Sequence, residues 1–452
     1  MKKYYFQMKS KNMKIHSSKL QVLDFLTHRS STNQYYHLLH SQYLSYDELY
    51  HLQNAKLQNL IKHVYHTVEY YHTLMDKYKL KPRDIQNQSD LEKLPILTKE
   101  IIKQNYLSFI SSIYQSFNPV KKITGGSTGA PLQYYISKNV ESYAWGSIWR
   151  AWNVGGYEPG DRVAVLGGDS IIKRNYKTKI YYFLNNWNVL PITKLNENNI
   201  FYIYEEIKRS SCKMIYAYPT PLLFLAQFML KNELKLQINH IVTTSEMLFP
   251  NHRAIIEKAF NCKVYDFYGA NDGGLLSFQC EYFDGYHLCM EKCIAEIVDD
   301  ELQKRLPANE VGNIVLTDLE NYAMPFIRYQ VGDRGAITNA TCKCGRGLNR
   351  LTTIAGRVKD FIELPNGKII DGSYFTKRFR NVPSVLLFQI VQKPTKDIYA
   401  KVRLSENEKS STIALENIEK FISDELKINF KIIRDDSFHR STNQKFQYIV
   451  KE

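Results

Sequence analysis

At 452 residues, 44% apolar and 13% aromatic, the chain is long enough for a large core in two or three domains and too apolar to be disordered. It contains no run of about eighteen apolar residues, and its basic start, M-K-K-Y-Y-F-Q-M-K-S-K, lacks the apolar block of a secretion signal, so a cytoplasmic protein without a transmembrane segment is expected. The net charge of +15 is spread over scattered lysines without a long basic run, a zinc-finger spacing or a helix-turn-helix spacing; nucleic acid is not an expected partner, whereas peripheral contact with an anionic membrane surface stays open.

Residues 1–120 read as a helical lead-in to a large domain. Tyr46 to Tyr78 places Leu49, Leu52, Leu57, Leu60, Ile61, Val64, Val68, Tyr71 and Leu74 at three- and four-residue spacings, the pattern of amphipathic helices. Pro82 interrupts, and L-P-I-L-T-K-E offers Thr98 as the cap of a further helix through about Asn105.

The next stretch, K-I-T-G-G-S-T-G-A-P-L-Q-Y-Y from Lys122 to Tyr135, interleaves three glycines with hydroxyl side chains. Such a loop can turn through positive φ and converge several donors on a phosphate. Leu132 to Ile136 alternates like a strand, so the loop is expected to join two strands, unlike a Walker or dinucleotide loop. A Gly/Ser/Thr run alone is also what any surface loop contains.

From 121 to 357 strand-like runs (Arg162 to Leu166, Asn188 to Ile192, Met214 to Ala217, Ile241 to Thr244, Lys263 to Phe267, Ile314 to Thr317) alternate with helical ones (Pro221 to Lys231, Asn251 to Phe260). An α/β core with mixed sheets is expected, its ligands gathering in loops beyond the strand ends. Residues 358–452 read as a small α+β domain, opening on a hairpin with the turn Pro365-Asn366-Gly367-Lys368. Strands over Val385 to Val391 and Tyr399 to Leu404, a helix over Ile413 to Leu426 and a strand over Lys431 to Arg434 follow.

Three downstream segments are chemically loaded: Thr243 to Glu246, Tyr268 to Gly274 and Arg328 to Arg334. With the 124–129 loop they ask for a nucleotide carrying a polyphosphate. The loop would hold phosphates, the Tyr268 ring would stack on a base, Asp272 would take magnesium through oxygen, and Asp333 would accept both ribose hydroxyls. Singly, each has an ordinary reading as core aromatic, loop cap or turn residue.

In this combination the chain resembles the adenylate-forming ligases, within them the phenylacetate-CoA ligases and their relatives from capsular polysaccharide genes (CapK-like). T-G-G-S-T-G-A-P corresponds to the phosphate loop, S-E-M-L at 245–248 to the adenine-lining turn, and Y-G-A-N-D to a Tyr-Gly-x-x-Glu motif. R-Y-Q-V-G-D-R corresponds to the ribose motif, G-R-V-K-D-F-I at 356–362 to the hinge, and T-N-Q-K-F-Q at 442–447 to the C-terminal lysine motif. The motifs match in order from about residue 45 to the end. The resemblance implies that Thr124, Gly125, Gly126, Ser127, Thr128 and Gly129 hold the β- and γ-phosphates. It implies that Ser245 and Glu246 flank adenine, that Tyr268 and Gly269 line it, that Asp333 binds ribose, and that Arg357 sets the nucleotide. Lys445 would bridge the carboxylate and α-phosphate, where a positioned ammonium offsets the charge developing between two anions. The small domain would then turn about Asp360. Departures from the pattern are Asp272, one methylene shorter than glutamate, Gly125, Leu132-Gln133 and Gln444.

Seven cysteines, an odd count without a secretion signal, argue against a disulfide framework, and five of them fall between 280 and 344. Cys280, His287, Cys342 and Cys344 could supply a tetrahedral structural zinc site, with Cys289 and Cys293 as substitutes; the alternative is reduced thiols packed as small apolar groups. Members of the resembled branch carry a structural zinc at such positions.

The resemblance thus implies ATP, magnesium, a structural zinc and coenzyme A, in a reaction that activates a carboxylic acid as an acyl-adenylate and transfers it to a thiol. A related alternative transfers a sugar acid, amino acid or small acid to an amine or carrier. A third reading is a nucleotide-binding scaffold without turnover. The acid is expected near Trp145, Trp149, Tyr216 to Thr220 and Ala270; its identity and the oligomeric state are not legible.

Overall fold

The computed structural model describes residues 13–124, 132–167, 176–191, 197–302, 304–357, 361–371, 373–379, 382, 384–404, 409–435 and 448–452. Two compact units emerge, each from three segments. The first comprises Met1–Asp161, Ile180–Asn186 and Tyr265–Ala355; the second comprises Arg162–Lys179, Trp187–Val264 and Gly356–Glu452. Among the described residues no helix is long and apolar enough to cross a membrane.

The first unit begins with helices α1 (Met13–Thr27), α2 (Ser31–Ser41), α3 (Tyr46–Thr67), α4 (Glu69–Lys77) and α5 (Lys99–Gln104). Ser45 and Glu48 cap α3 reciprocally: the Glu48 carboxylate accepts the Ser45 N–H at 2.8 Å, and the Ser45 hydroxyl accepts the Glu48 N–H at 3.2 Å. The periodic stretch expected over Tyr46 to Tyr78 is thus two helices, broken at Val68. This β-branched residue is extended at φ −121° and buried. Thr98 caps α5 as expected, accepting the Ile101 N–H at 3.4 Å.

Strands β1 (Val120–Ile123) and β2 (Gln133–Ile136) pair antiparallel from Val120 opposite Ile136 to Ile123 opposite Gln133. The Gly/Ser/Thr run therefore joins two strands, as its flanks predict. Helix α6 (Lys138–Asn153) follows, capped by Ser137. The unit's sheet contains β7 (Lys263–Ala270), β8 (Leu275–Phe278), β9 (Tyr286–Leu288), β10 (Cys293–Val298), β11 (Gly312–Asp318), β12 (Tyr329–Thr338) and β13 (Arg350–Arg357), in the order β10-β11-β12-β13-β9-β8-β7. A core including Leu57, Leu60, Ile61, Val64, Phe109, Phe326 and Tyr329 joins the lead-in helices to this sheet.

The second unit holds β3 (Val163–Gly167), β4 (Trp187–Pro191), β5 (Met214–Ala217) and β6 (His240–Thr244) in the order β6-β5-β3-β4, all parallel. Helices α8 (Glu197–Ser210) and α9 (Pro219–Lys231) supply crossovers, and every residue of β3 and β6 is buried, as both-sided covering requires. Helix α7 (Tyr176–Leu184) lies between β3 and β4 in sequence, and α10 (Pro250–Phe260) follows β6. The expected hairpin is present as β14 (Phe361–Glu363) and β15 (Ile369–Asp371). Helix α11 (Ser373–Phe379) leads to a four-stranded sheet of β16 (Val385–Gln392), β17 (Ile398–Leu404), β18 (Lys431–Arg434) and β19 (Ile449–Lys451), beside α12 (Lys409–Leu426). The α/β core with a smaller α+β portion is the expected fold class.

Candidate functional site

The nucleotide-site candidates of the first unit gather on β7, the turn after it, and β12. Tyr268 and Gly269 lie inside β7, which runs three residues past the strand expected at Lys263 to Phe267. Asp272 sits in the single turn Asn271–Gly273, and Gly274 follows at φ +75°. A Cβ on Gly274 would stand 2.6 Å from Lys292 Nζ, so only glycine passes there.

Asp333 lies within a strand, where a loop was expected. Between the pairs Val315 with Gln330 and Asn313 with Arg334, β11 advances two residues while β12 advances four. The surplus is a bulge over Val331, Gly332 and Asp333, with Gly332 at φ +83°. The bulge lets Asp333 meet the neighbouring tyrosine: the Tyr268 hydroxyl donates to Asp333 Oδ2 at 2.7 Å. A glycine inside an otherwise apolar strand pattern is the sequence signal for such a bulge.

A second tyrosine–carboxylate pair lies beside the first, since β12 also carries Tyr329. Its hydroxyl donates to Asp272 Oδ2 at 3.0 Å. Burial, reinforced by the Asp272 charge, pushes the Tyr329 phenol far above its ordinary value, so it stays a donor. Among the described residues the other oxygen of Asp272 makes no hydrogen bond, which suits a carboxylate that lends one oxygen to magnesium and leaves most of the shell to phosphates and water.

This strand edge is held from two sides. The Leu97 N–H donates to the Arg328 carbonyl at 2.8 Å and the Gln330 N–H to the Leu97 carbonyl at 2.9 Å, so L-P-I-L-T-K docks along β12. Lys292, almost fully buried, donates to Asp318 Oδ2 at 2.6 Å and to the Gly274 carbonyl at 3.1 Å, fixing the turn that carries Asp272. Tyr329, Lys292 and Asp318 were not among the residues singled out from sequence. Tyr329 had a signal, being inside the ribose motif; Lys292 and Asp318 are 26 residues apart and had none.

Thr124 forms the base of the β1–β2 hairpin. Its N–H donates to the Leu132 carbonyl at 2.9 Å, and its hydroxyl oxygen accepts the Leu132 N–H at 2.9 Å, leaving the hydroxyl proton to donate. Gly125, Gly126, Ser127, Thr128 and Gly129 lie outside the described residues, as do Asp360, Gln444 and Lys445. Arg357 ends β13. Ser245 and Glu246 belong to the second unit. Ser245 leaves β6 at φ +70°, a conformation uncommon outside glycine, and the Glu246 carboxylate accepts the Thr220 N–H at 3.2 Å in the first turn of α9, where a negative charge is favoured. Of the acid-pocket candidates, Trp145, Trp149 and Ala270 belong to the first unit and Tyr216 to Thr220 to the second.

The structure brings four of the cysteine-cluster candidates together. The ligand atoms of Cys280, His287, Cys342 and Cys344 all lie within 4.8 Å of one another. The Cys280 and Cys342 sulfurs are 3.7 Å apart and Cys344 Sγ is 3.3 Å from His287 Nε2. Four ligands at about 2.0–2.3 Å from a tetrahedral zinc stand roughly 3.3–3.8 Å from one another, so the donor set fits the ion. Gly285 at φ +77° and Gly345 at φ +78° turn the chain between and after the ligands. Burial, then the Arg346 charge, lowers His287 to about 3, keeping the imidazole neutral, the form that ligates. Burial raises the Cys344 thiol, but donation from the Arg346 backbone and guanidinium outweighs it and leaves the thiol below its ordinary value. Cys289, beside Ser147 Oγ at 3.3 Å, and Cys293, beside the Gly273 carbonyl at 3.7 Å, lie elsewhere.

No family model matches the chain. Its fold is shared with 2-hydroxyisobutyryl-CoA ligase, solved in its postadenylation state in complex with R3-HIB-AMP, which superposes with a TM-score of 0.70 at 17% identity over 88% of this chain and 89% of that one. In sequence the chain is similar to the phenylacetate-coenzyme A ligase of Thermus thermophilus, at 25% identity over 70% of this chain and 72% of the relative. It is also similar to the protein CapK of Staphylococcus aureus, at 24% identity over 90% of this chain and 86% of the relative.

Proposed function

We propose that the protein is an ATP-dependent ligase that activates a carboxylic acid as its adenylate and passes the acyl group to a thiol, coenzyme A. The observation that carries this is the pairing of Tyr268 with Asp333 and Tyr329 with Asp272 on adjoining elements of this fold. Asp333 exchanges its tyrosine bond for the ribose hydroxyls, Tyr268 offers its ring to adenine, and Ser245 and Glu246 line the base. Asp272 holds magnesium, which supplies neutralisation of phosphate charge when bound. Thr124 to Gly129 cradle the β- and γ-phosphates.

In the first half-reaction a carboxylate oxygen bonds to the α-phosphorus of ATP as the bond to the β-phosphate bridge breaks, and pyrophosphate leaves. Lys445 offsets the charge that builds between the two anions. In the second, a thiolate bonds to the acyl carbon, the acyl–phosphate C–O bond breaks, and AMP leaves. Residues 358–452 turn about Asp360 between the two steps. Cys280, His287, Cys342 and Cys344 would hold a structural zinc. We place the enzyme in the cytoplasm.

Alignment with CapK over 90% of the chain favours a second reading, a capsular polysaccharide enzyme whose acceptor is an amine or a carrier. Pyrophosphate release from ATP over a panel of carboxylic acids, with coenzyme A or an amine added in turn, tests both. Release that needs an acid, followed by a thioester only with coenzyme A, supports the first reading. An amide supports the second. Absence of release from protein that still binds ATP defeats both.

A further inference from the structure

The first unit buries Leu20 and Leu23 of α1 and leaves the opposite face of the same helix apolar and exposed. Val22, Phe25 and Leu26 fall within one helical stripe; Phe25 is 80% exposed and Leu26 59%. Beside it stands a second such patch. At the end of α7, within the first unit, Ile180 and Phe183 are also exposed, Phe183 69%, and Lys19 Nζ lies 5.0 Å from the Phe183 ring centroid, which joins α1 to the end of α7. Among the described residues these large apolar side chains bury little of their surface against the chain.

The charge around them has one sign. Lys19 is exposed on the same face of α1 as Val22 and Leu26. Nearby acids are occupied internally: Asp24 Oδ2 accepts the Thr32 N–H at 2.8 Å, and Glu141 is bound by Arg29, Lys122 and Lys138. The sequence before α1 carries Lys2, Lys3, Lys9 and Lys11, and α1 itself Lys14, with no Asp or Glu before Asp24. An apolar stripe rimmed by lysines is the make-up of a surface that lies in the headgroup layer of an anionic bilayer. A second copy of the chain fits it less well, because an isologous contact would set Lys19 and the basic residues before it against their own counterparts.

We infer that Val22, Phe25, Leu26, Ile180 and Phe183, with Lys19, all of the first unit, form a docking surface for anionic membrane lipid. The surface is independent of the proposed reaction, so the two can fail separately. It would hold an otherwise water-borne chain at an interface without spanning it.

Co-sedimentation of the full chain with phosphatidylglycerol-rich vesicles, with phosphatidylcholine vesicles as the zwitterionic arm, tests the inference. The expected result is binding to the anionic vesicles that falls at least about tenfold when salt rises from about 0.05 to about 0.5 M, and little binding to the zwitterionic ones. Phe25→Ser with Phe183→Ser, and separately Lys19→Gln, should each weaken anionic binding while circular dichroism stays unchanged. Failure of the unmodified chain to bind, equal binding to both lipids, or unaltered binding by both folded variants overturns it. So does a dimer by light scattering that the Phe25→Ser, Phe183→Ser variant dissolves.

Discussion

Replacing Tyr329 by Phe isolates the contact on which the magnesium assignment rests. The substitution keeps the ring, which packs 5.4 Å from that of Phe326, and removes only the hydroxyl 3.0 Å from Asp272 Oδ2. Tyr329 is 2% exposed, so bulk water has little access to replace the lost donor. A hydrogen bond to a charged group contributes about 1.5–3 kcal/mol, and about 1.4 kcal/mol is a factor of ten. If Asp272 must be aimed by this bond, the magnesium concentration for half-maximal pyrophosphate release should rise, and kcat/KM at limiting magnesium should fall, by about 10- to 100-fold. Saturating magnesium should recover most of kcat, and Asp272→Asn should be worse than Tyr329→Phe. An unchanged magnesium dependence in a variant of unchanged thermal transition would refute the reasoning, because the hydroxyl would then be structural or idle.

Three further outcomes follow from buried charge and metal. Glu141 is lowered to about 2: burial raises its carboxyl, and the bond from Lys122 with the charges of Arg29 and Lys138 outweighs that. Its folded value lies below its unfolded one, so its contribution is full above about pH 4.5 and is lost as pH falls toward about 2. Discounting for partly exposed Lys122 and Lys138, this is about 2 kcal/mol, and Glu141→Gln should flatten the acid limb of a urea-stability profile over that window. Lys292→Met leaves Asp318 buried without its cation and should destabilise by about 3–5 kcal/mol in urea titration, with Asp318→Asn in the same chain recovering part of the loss; equal loss in single and double variants would count against the pair. Protein purified without chelator should carry about one zinc per chain, lost on Cys342→Ser together with early thermal unfolding, whereas Cys289→Ser should keep its zinc; a wild-type chain well below that stoichiometry removes the site.

Local chemistry was the legible part of this molecule. Met214–Ala217 forms the strand its apolar run predicts, Thr98 caps its helix, and the Asn366-Gly367 turn closes a hairpin, because each depends on a few neighbouring residues. The flanks of the Gly/Ser/Thr run paired as strands for the same reason. The grouping of Cys280, His287, Cys342 and Cys344 was legible through residue type, and the structure brings their ligand atoms within 4.8 Å of one another. What was hidden depends on register and on distance along the chain. A two-residue mismatch between β11 and β12 makes the bulge that delivers Asp333 to Tyr268, and no single strand records it. Lys292 reads as one lysine among many until β10 and β11 bring Asp318 beside it. The assembly of each compact unit from three separated segments is likewise a property of tertiary contact.

The most direct test of the central claim is pyrophosphate release from ATP and magnesium across a carboxylic-acid panel, with and without coenzyme A, for the unmodified chain beside Lys445→Ala. The account predicts release that depends on one class of acid, a thioester product with coenzyme A, and a loss of orders of magnitude in the variant. Release indifferent to Lys445, or none from ATP-bound protein with any acid, would contradict it.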